Sequence, residues 1–191
     1  MLLGITGGSG SGKTTLLELI RQKGGLVLDC DAIYHQLLQS DPTLLAKIQD
    51  RFPGTIENGQ LNRKKLGNIV FSDADALAAL NAITHQAVKN EVLQRLPENE
   101  TIVAIDAYGL FEGGLSELCK PTVAVVAPLA ARIQRLMARD GVSEAYARSR
   151  IAAQKTDAEF SDLCDYTLEN DGTVEDFQTK CLAFLQDIGI I

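Results

Sequence analysis

Histidine and cysteine are scarce in this chain, and their placement removes several chemistries at once. The only histidines are His35 and His85, and the four cysteines, Cys30, Cys119, Cys164 and Cys181, form no Cys-x-x-Cys pair. A zinc site or disulfide framework is therefore unsupported, and the thiols read as small buried hydrophobes in a reducing cytosol. Basic residues are in deficit too: 18 Lys and Arg face 25 Asp and Glu, a net charge of −7. Nucleic-acid-binding domains are usually basic, so no nucleic-acid partner is expected, and any anionic ligand must be held by a local cluster of positive groups. No apolar run approaches the length of a bilayer crossing, so no membrane partner is expected. The opening MLLGITGGSGSGK lacks a basic leader followed by an apolar stretch, which argues against a secretory signal. Repeats, low-complexity tracts and linkers are missing as well. The expectation is a single cytoplasmic domain, 191 residues long and 46% hydrophobic, able to bury a sizeable core.

What the chain does have is an alternation of short apolar runs with longer segments of helical period. That is the sequence form of an α/β protein, a parallel sheet covered by helices. Strands are predicted at Leu2–Thr6, Leu26–Asp29, Thr101–Asp106, Thr122–Ala127 and Asp165–Leu168. A first helix should start near Lys13 and bury Leu16, Leu17, Leu19 and Ile20; a second should start at Asp31, capped by that side chain. Asp41-Pro42 reads as an N-cap and first helical position, Asn58-Gly59 as a turn, and Leu61–Phe71 as a helix. Ser72 or Asp73 should cap a helix through Ile83, with a further helix running on to Pro97. The roughly 70 residues between the second and third strands exceed what one crossover needs, so 32–97 is expected to be a helical, substrate-binding insertion. Pro128–Arg139 and Ser143–Ala153, split by Asp140-Gly141, read as a helix hairpin within a lid over 128–160, and a last helix spans Val174–Ile188.

Gly7-Gly8-Ser9-Gly10-Ser11-Gly12-Lys13-Thr14 satisfies G-x-x-x-x-G-K-[ST] between an apolar run and an amphipathic helix, the context that a phosphate-binding loop requires. Gly8, Ser9, Gly10, Ser11, Gly12, Lys13, Thr14 and Thr15 are accordingly the candidate nucleotide-binding residues. Lys13 should reach the β- and γ-phosphates, and the Thr14 hydroxyl should coordinate Mg²⁺ carried with ATP. Asp106-Ala107-Tyr108-Gly109 matches the D-x-x-G of GTPase switches, but no N-K-x-D element follows to recognise guanine. Transfer of a phosphoryl group to a small molecule is the outcome best supported, with a nucleotide-dependent switch as the alternative from another class. Five of the nine arginines, Arg132, Arg135, Arg139, Arg148 and Arg150, fall within 19 residues. The first three, at i, i+3 and i+7, are expected to share a helix face and converge on phosphates as a lid closes. Asp29 and Asp31 end the second strand, where open α/β sheets bind ligands; Asp31 is the candidate general base. Asp106 is a candidate second Mg²⁺ ligand through a water, and Arg63 with Lys64 and Lys65 either meets an anionic acceptor or forms a solvated basic turn.

Taken in order, these residues resemble the dephospho-CoA kinase family. The likeness is carried by Gly4 to Thr14, Asp29-Cys30-Asp31, Leu61-x-Arg63, Leu80-Asn81-x-Ile83-Thr84-His85, Leu110-Phe111-Glu112, Arg135-x-x-x-Arg139-Asp140, Ala152-Ala153-Gln154 and Asn170-Asp171-Gly172. It implies transfer of the ATP γ-phosphoryl group to the ribose 3′-hydroxyl of dephospho-CoA, and a P-loop fold with a five-stranded parallel sheet, a helical CoA-binding insertion and a lid. By the same likeness Asp31, Lys13 and Arg139 are catalytic, Arg135 and Arg139 meet the nucleotide, and Asn170 lies by the adenine. Asp31, His35, Arg63 and His85 fall on the acceptor side, and the chain is expected to be a monomer or weak homo-oligomer. Three positions depart from the family pattern: His35 replaces a usual arginine, Tyr108-Gly109 replaces Pro-Leu, and Arg132 stands where Gln is common. Asp106 is often apolar in the family, so its metal role rests on chemistry alone.

Overall fold

The structure, a computed structural model, describes residues 1–99 and 102–191; Thr101, the first residue of the third predicted strand, lies outside the described residues. In chain order the first half holds β1 (Leu2–Thr6), α1 (Lys13–Gln22), β2 (Leu26–Asp29), α2 (Cys30–Ser40), α3 (Pro42–Arg51), β3 (Ile56–Glu57), β4 (Gln60–Leu61), α4 (Arg63–Val70) and α5 (Ala74–Arg95). The second half holds β5 (Val103–Asp106), a 3-10 turn (Ser116–Leu118), β6 (Thr122–Val126), α6 (Leu129–Asp140), α7 (Glu144–Ala152), α8 (Asp157–Leu163), β7 (Tyr166–Glu169) and α9 (Val174–Asp187). The chain divides into two compact units: Met1–Leu28, Pro97–Phe111 and Leu115–Ile191 form one, and Asp29–Leu96 with Glu112–Gly114 the other.

The first unit is built on a five-stranded sheet in the order β2-β5-β1-β6-β7, with β1 pairing parallel to β5 and β6, and β6 parallel to β7. Each of the five expected strands is present. The inner strands β1 and β6 are buried along almost their whole length, as parallel strands covered on both faces must be. Alternation sorts their side chains. Val123 and Val125 join Leu3, Ile5 and the buried faces of α1 (Leu16, Leu17, Leu19, Ile20) and α9 (Phe177, Cys181, Phe184, Leu185), while Ala124 and Val126 meet Phe160 of α8 on the other side. The strand order reverses at β1: β5 and β2 lie to one side of it, β6 and β7 to the other. The carboxyl end of a strand at such a reversal opens a crevice, and β1 delivers the glycine loop into it.

The second unit is helical apart from the β3–β4 hairpin, which sequence periodicity did not reveal because each strand is two residues long. Asn58 and Gly59 both have positive φ, the turn chemistry of a tight hairpin. Asn62 then caps α4 by accepting from Lys65 N–H at 3.0 Å, so the helix begins at Arg63 and not at Leu61. Asp41 caps α3 as expected. Two expectations are corrected. A single 22-residue helix, capped by Asp73, replaces the two expected over 73–97, since neither glycine nor proline interrupts it. The cap of α2 is Asp29, which accepts from Ala32 N–H at 2.9 Å; Asp31 falls inside the helix.

Beyond the expected hairpin of α6 and α7, the first unit carries α8, opened by a Thr156–Glu159 capping box. It has one buried residue, Phe160, too little for a periodic signal. Among the described residues no helix is long and apolar enough to cross a membrane.

The Asp165 carboxylate accepts from Thr122 N–H at 2.7 Å and Thr122 Oγ1 at 2.9 Å, tying the start of β7 to β6. These bonds hold its pKa below the ordinary 3.8. A depressed folded value stabilises the fold above the ordinary pKa and ceases to do so as pH falls through the folded one. Asp165→Asn should therefore lower stability at neutral pH and flatten the acid limb of the stability curve below pH 3.8; urea titrations across that range check it, and an unchanged acid limb would show that the Thr122 bonds contribute nothing.

Candidate active site

The loop between β1 and α1 takes its shape from backbone that only glycine tolerates. Gly12 caps α1 at φ +100°, and a methyl group added there would lie 2.1 Å from Asn170 Nδ2. At Gly8 an added methyl would lie 2.0 Å from Arg132 Nη2. Ser11 N–H donates to Gly8 O at 3.1 Å, which folds the loop on itself, and Ser11 Oγ is buried without a hydrogen-bond partner among the described residues. Lys13 Nζ donates to Gly7 O at 2.8 Å and so lies curled over its own loop. Thr14 is exposed in the first turn of α1, where no acidic residue offsets the positive end of the helix dipole. Thr15 N–H donates to Gly12 O within that turn.

The outer side of the loop is braced. Arg132, 3% exposed, donates from Nε to Ser9 O at 3.0 Å, and Arg135 donates from Nη1 to Gly10 O and Ser11 O at 3.1 and 3.2 Å. Asn170, expected beside an adenine, has its amide committed to this bracing: Nδ2 donates to Ser11 O at 2.8 Å and Oδ1 accepts from Arg135 at 3.1 Å. The turn that presents Asn170 is fixed in its own right, since Asn170 N–H donates to Val126 O and Lys180 of α9 donates to Glu169 O and Asp171. Gln154 completes the set by bonding both the N–H and the hydroxyl of Ser9.

Arg139 does not join its two helix neighbours. Its guanidinium is engaged by the adjacent Asp140, which also pairs with Arg150, while Arg148 pairs with Glu144. The expected convergence of three arginines is therefore a convergence of two. The Arg139 guanidinium, and after it that of Arg150, holds the Asp140 carboxyl below the usual aspartate range. A cavity of about 430 Å³ opens beside the hairpin, lined by Leu129, Arg132, Arg148, Ile151, Gln154 and Lys155 among others. Sequence reading passed over Gln154 and the buried position of Arg132 as site features; the signal for Arg132 was its departure from the family's usual Gln.

Asp106 ends β5 at the register of Ile5, just before the loop leaves β1. No cluster of three or more His, Cys, Asp or Glu exists among the described residues, so no all-protein metal cage is present. The donors available, the exposed Thr14 hydroxyl and the carboxylate at the end of β5, are of the oxygen type that suits Mg²⁺, which usually keeps several waters and is completed by substrate phosphates.

In the second unit Asp31 stands in the first turn of α2 with an exposed carboxylate and no hydrogen bond or ion pair among the described residues, capping having fallen to Asp29. One turn further on, the His35 ring lies 5.6 Å from that of Tyr34. Burial raises the Tyr34 pKa, and the Arg63 charge partly opposes this. His85, half-buried on α5, has its pKa lowered by burial, so it is held neutral at pH 7.

A glycine loop and Lys-Thr pair on the central strand of a sheet in this order, with a positive helix end behind them and an arginine-bearing helix hairpin alongside, define a P-loop nucleotide-binding protein. The family model described as Dephospho-CoA kinase matches residues 1–176. The Dephospho-CoA kinase of Lactobacillus johnsonii is 35% identical over 193 residues, covering 98% of both chains. A Thermus thermophilus crystal structure superposes with a TM-score of 0.81 at 34% identity, covering 98% of this chain and 97% of that one. The Dephospho-CoA kinase from Campylobacter jejuni does so at 0.69 and 25%, covering 98% and 96%. The chain belongs to the dephospho-CoA kinase family.

Gly12→Ala forces an L-residue to φ +100° and into Asn170, and should weaken ADP binding by about a hundredfold or more. Gly24→Ala, also at positive φ but with nothing within 4 Å, should change stability by only about 1 kcal/mol and leave binding unchanged. Calorimetric titration of both variants checks the contrast; equal losses would refute the role given to the Gly12–Asn170 approach.

Proposed function

We propose that this chain phosphorylates the ribose 3′-hydroxyl of dephospho-CoA with Mg·ATP, working in the cytoplasm as a monomer or weak homo-oligomer. The observation that carries the reading is the conjunction of a braced phosphate loop in a family member with an Asp31 carboxylate left unengaged. Gly8 to Thr15 wrap the triphosphate, their N–H groups and the α1 dipole supplying a field that the acidic protein otherwise lacks. Lys13 moves from Gly7 O to the β- and γ-phosphates. When bound, Mg²⁺ neutralises charge on those phosphates; Thr14 and, through a water, Asp106 would hold it.

The insertion 32–97 binds the acceptor, with Arg63, His35 and His85 as its acceptor-side groups. Asp31 takes the proton of the attacking hydroxyl as its oxygen bonds to the γ-phosphorus and ADP departs in line. Asp29 cannot share this task while it caps α2. The lid spans 128–160. Arg135 serves the nucleotide by way of the loop carbonyls it holds, and Arg139 reaches a phosphate only by leaving Asp140. Asn170, beneath the loop, belongs to the nucleotide side of the site.

Purified protein with Mg·ATP should release ADP rapidly only when dephospho-CoA is present, with a product heavier by one phosphoryl group. Turnover with a nucleoside monophosphate, or with no acceptor, would overturn the acceptor assignment. Asp31→Asn should lower kcat by about 10²–10⁴-fold with ATP binding retained, and near-normal turnover in that variant would remove Asp31 as the base.

A further inference from the structure

We propose that Arg132 is a positioning residue of the phosphate loop: it acts on the bound triphosphate through the backbone of Ser9 and couples that backbone to the Gln154–Asp157 segment of the lid. The inference rests on the nucleotide-binding reading above and not on the identity of the acceptor. Arg132 is 3% exposed, and its three nitrogens are all committed to protein oxygens: Nε to Ser9 O at 3.0 Å, Nη1 to Asp157 Oδ1 at 2.9 Å and Nη2 to Gln154 Oε1 at 3.3 Å. Three of the five guanidinium N–H donors are spent in this way, and the three bonds fix its plane against the protein, so it is not free to turn toward a phosphate.

What it does have is control of a peptide plane. A trans peptide sets its C=O and N–H on opposite sides, so fixing Ser9 O against Arg132 turns the Gly10 N–H the other way. Gln154 secures the preceding plane by accepting from Ser9 N–H at 2.8 Å, and it donates to Ser9 Oγ at 2.9 Å. Every polar atom of Ser9 is thereby held by one lid residue or the other. The signature pattern fixes only Gly7 and Gly12. At both additional glycines an added methyl would strike Arg132, 2.0 Å from Nη2 at Gly8 and 2.7 Å from the carbonyl oxygen at Gly10. The loop is thus closely fitted to this one residue, to its side chain at Gly8 and to its backbone at Gly10. A cation buried against carbonyl oxygens also polarises their peptide groups, which strengthens the N–H donors on the far side.

The test is calorimetric titration of Mg·ADP into the full chain and its Arg132→Lys, Arg132→Gln and Gln154→Ala variants, with thermal melts and steady-state kinetics alongside. Lysine keeps the charge but cannot reproduce three fixed donor directions. Arg132→Lys should lose ADP affinity by about tenfold or more, raise KM for ATP in parallel, and leave KM for dephospho-CoA within about twofold. Gln154→Ala leaves the Arg132–Asp157 ion pair in place and so remains informative if the Arg132 variants fold poorly; it should lose affinity in the same direction. Full ADP affinity in Arg132→Lys would overturn the proposal, because charge alone would then suffice, and so would a melting loss without any change in affinity in either position's variants. A parent chain that binds ADP yet fails to phosphorylate dephospho-CoA sinks the acceptor assignment alone.

Discussion

A protein with seven more negative than positive charges repels the triphosphate it is built to hold, and the architecture of the first unit answers that repulsion over a few ångströms. The dipole of α1 and the Lys13 ammonium concentrate positive charge at the loop. Behind the loop, Arg132 and Arg135 add two more cations that grip carbonyl oxygens. The remaining hairpin arginines are neutralised by Asp140 and Glu144, so the cluster that looks continuous in sequence is divided in space between loop support and hairpin stability.

Holding amides at fixed directions requires a rigid base, and the sheet supplies it. The loop leaves the central strand, whose neighbours β5 and β6 are parallel and almost wholly buried. Alternation along β6 sends Val123 and Val125 to the α1–α9 layer and Ala124 and Val126 to α8, so packing on both faces fixes β6 in its place beside β1. The asparagine under Gly12 hangs from this frame by the Asn170 N–H bond to Val126 O.

How much of this was legible in the sequence depended on the range of the interaction. The strands, α1 with its four buried residues and the loop itself follow from local pattern, and each stands where the sequence placed it to within one or two residues. Where two local signals competed, tertiary context chose: Asp29 and Asp31 are both good caps, and the strand end selected the first. The single long α5 was hidden because hydrophobic phase drifts along 22 residues, although nothing in its composition breaks a helix. The pairing of Arg139 with Asp140 is invisible to helix spacing, which says which side chains share a face and nothing about the aspartate next door. The bracing by Gln154 and Asn170 joins residues separated by 145 and 159 positions, beyond the reach of any local pattern.

That separation has a consequence in time. The phosphate loop leaves the ribosome before the residues that brace it, Arg132, Arg135, Gln154 and Asn170, and the turn carrying Asn170 is pinned by Lys180 of α9. Until Asn170 has emerged, 159 positions after Ser11, a nascent chain would carry the whole signature motif without its full frame. A nucleotide that binds only the framed loop would therefore stabilise this unit as a whole, because the frame exists only once both ends of the unit have come together.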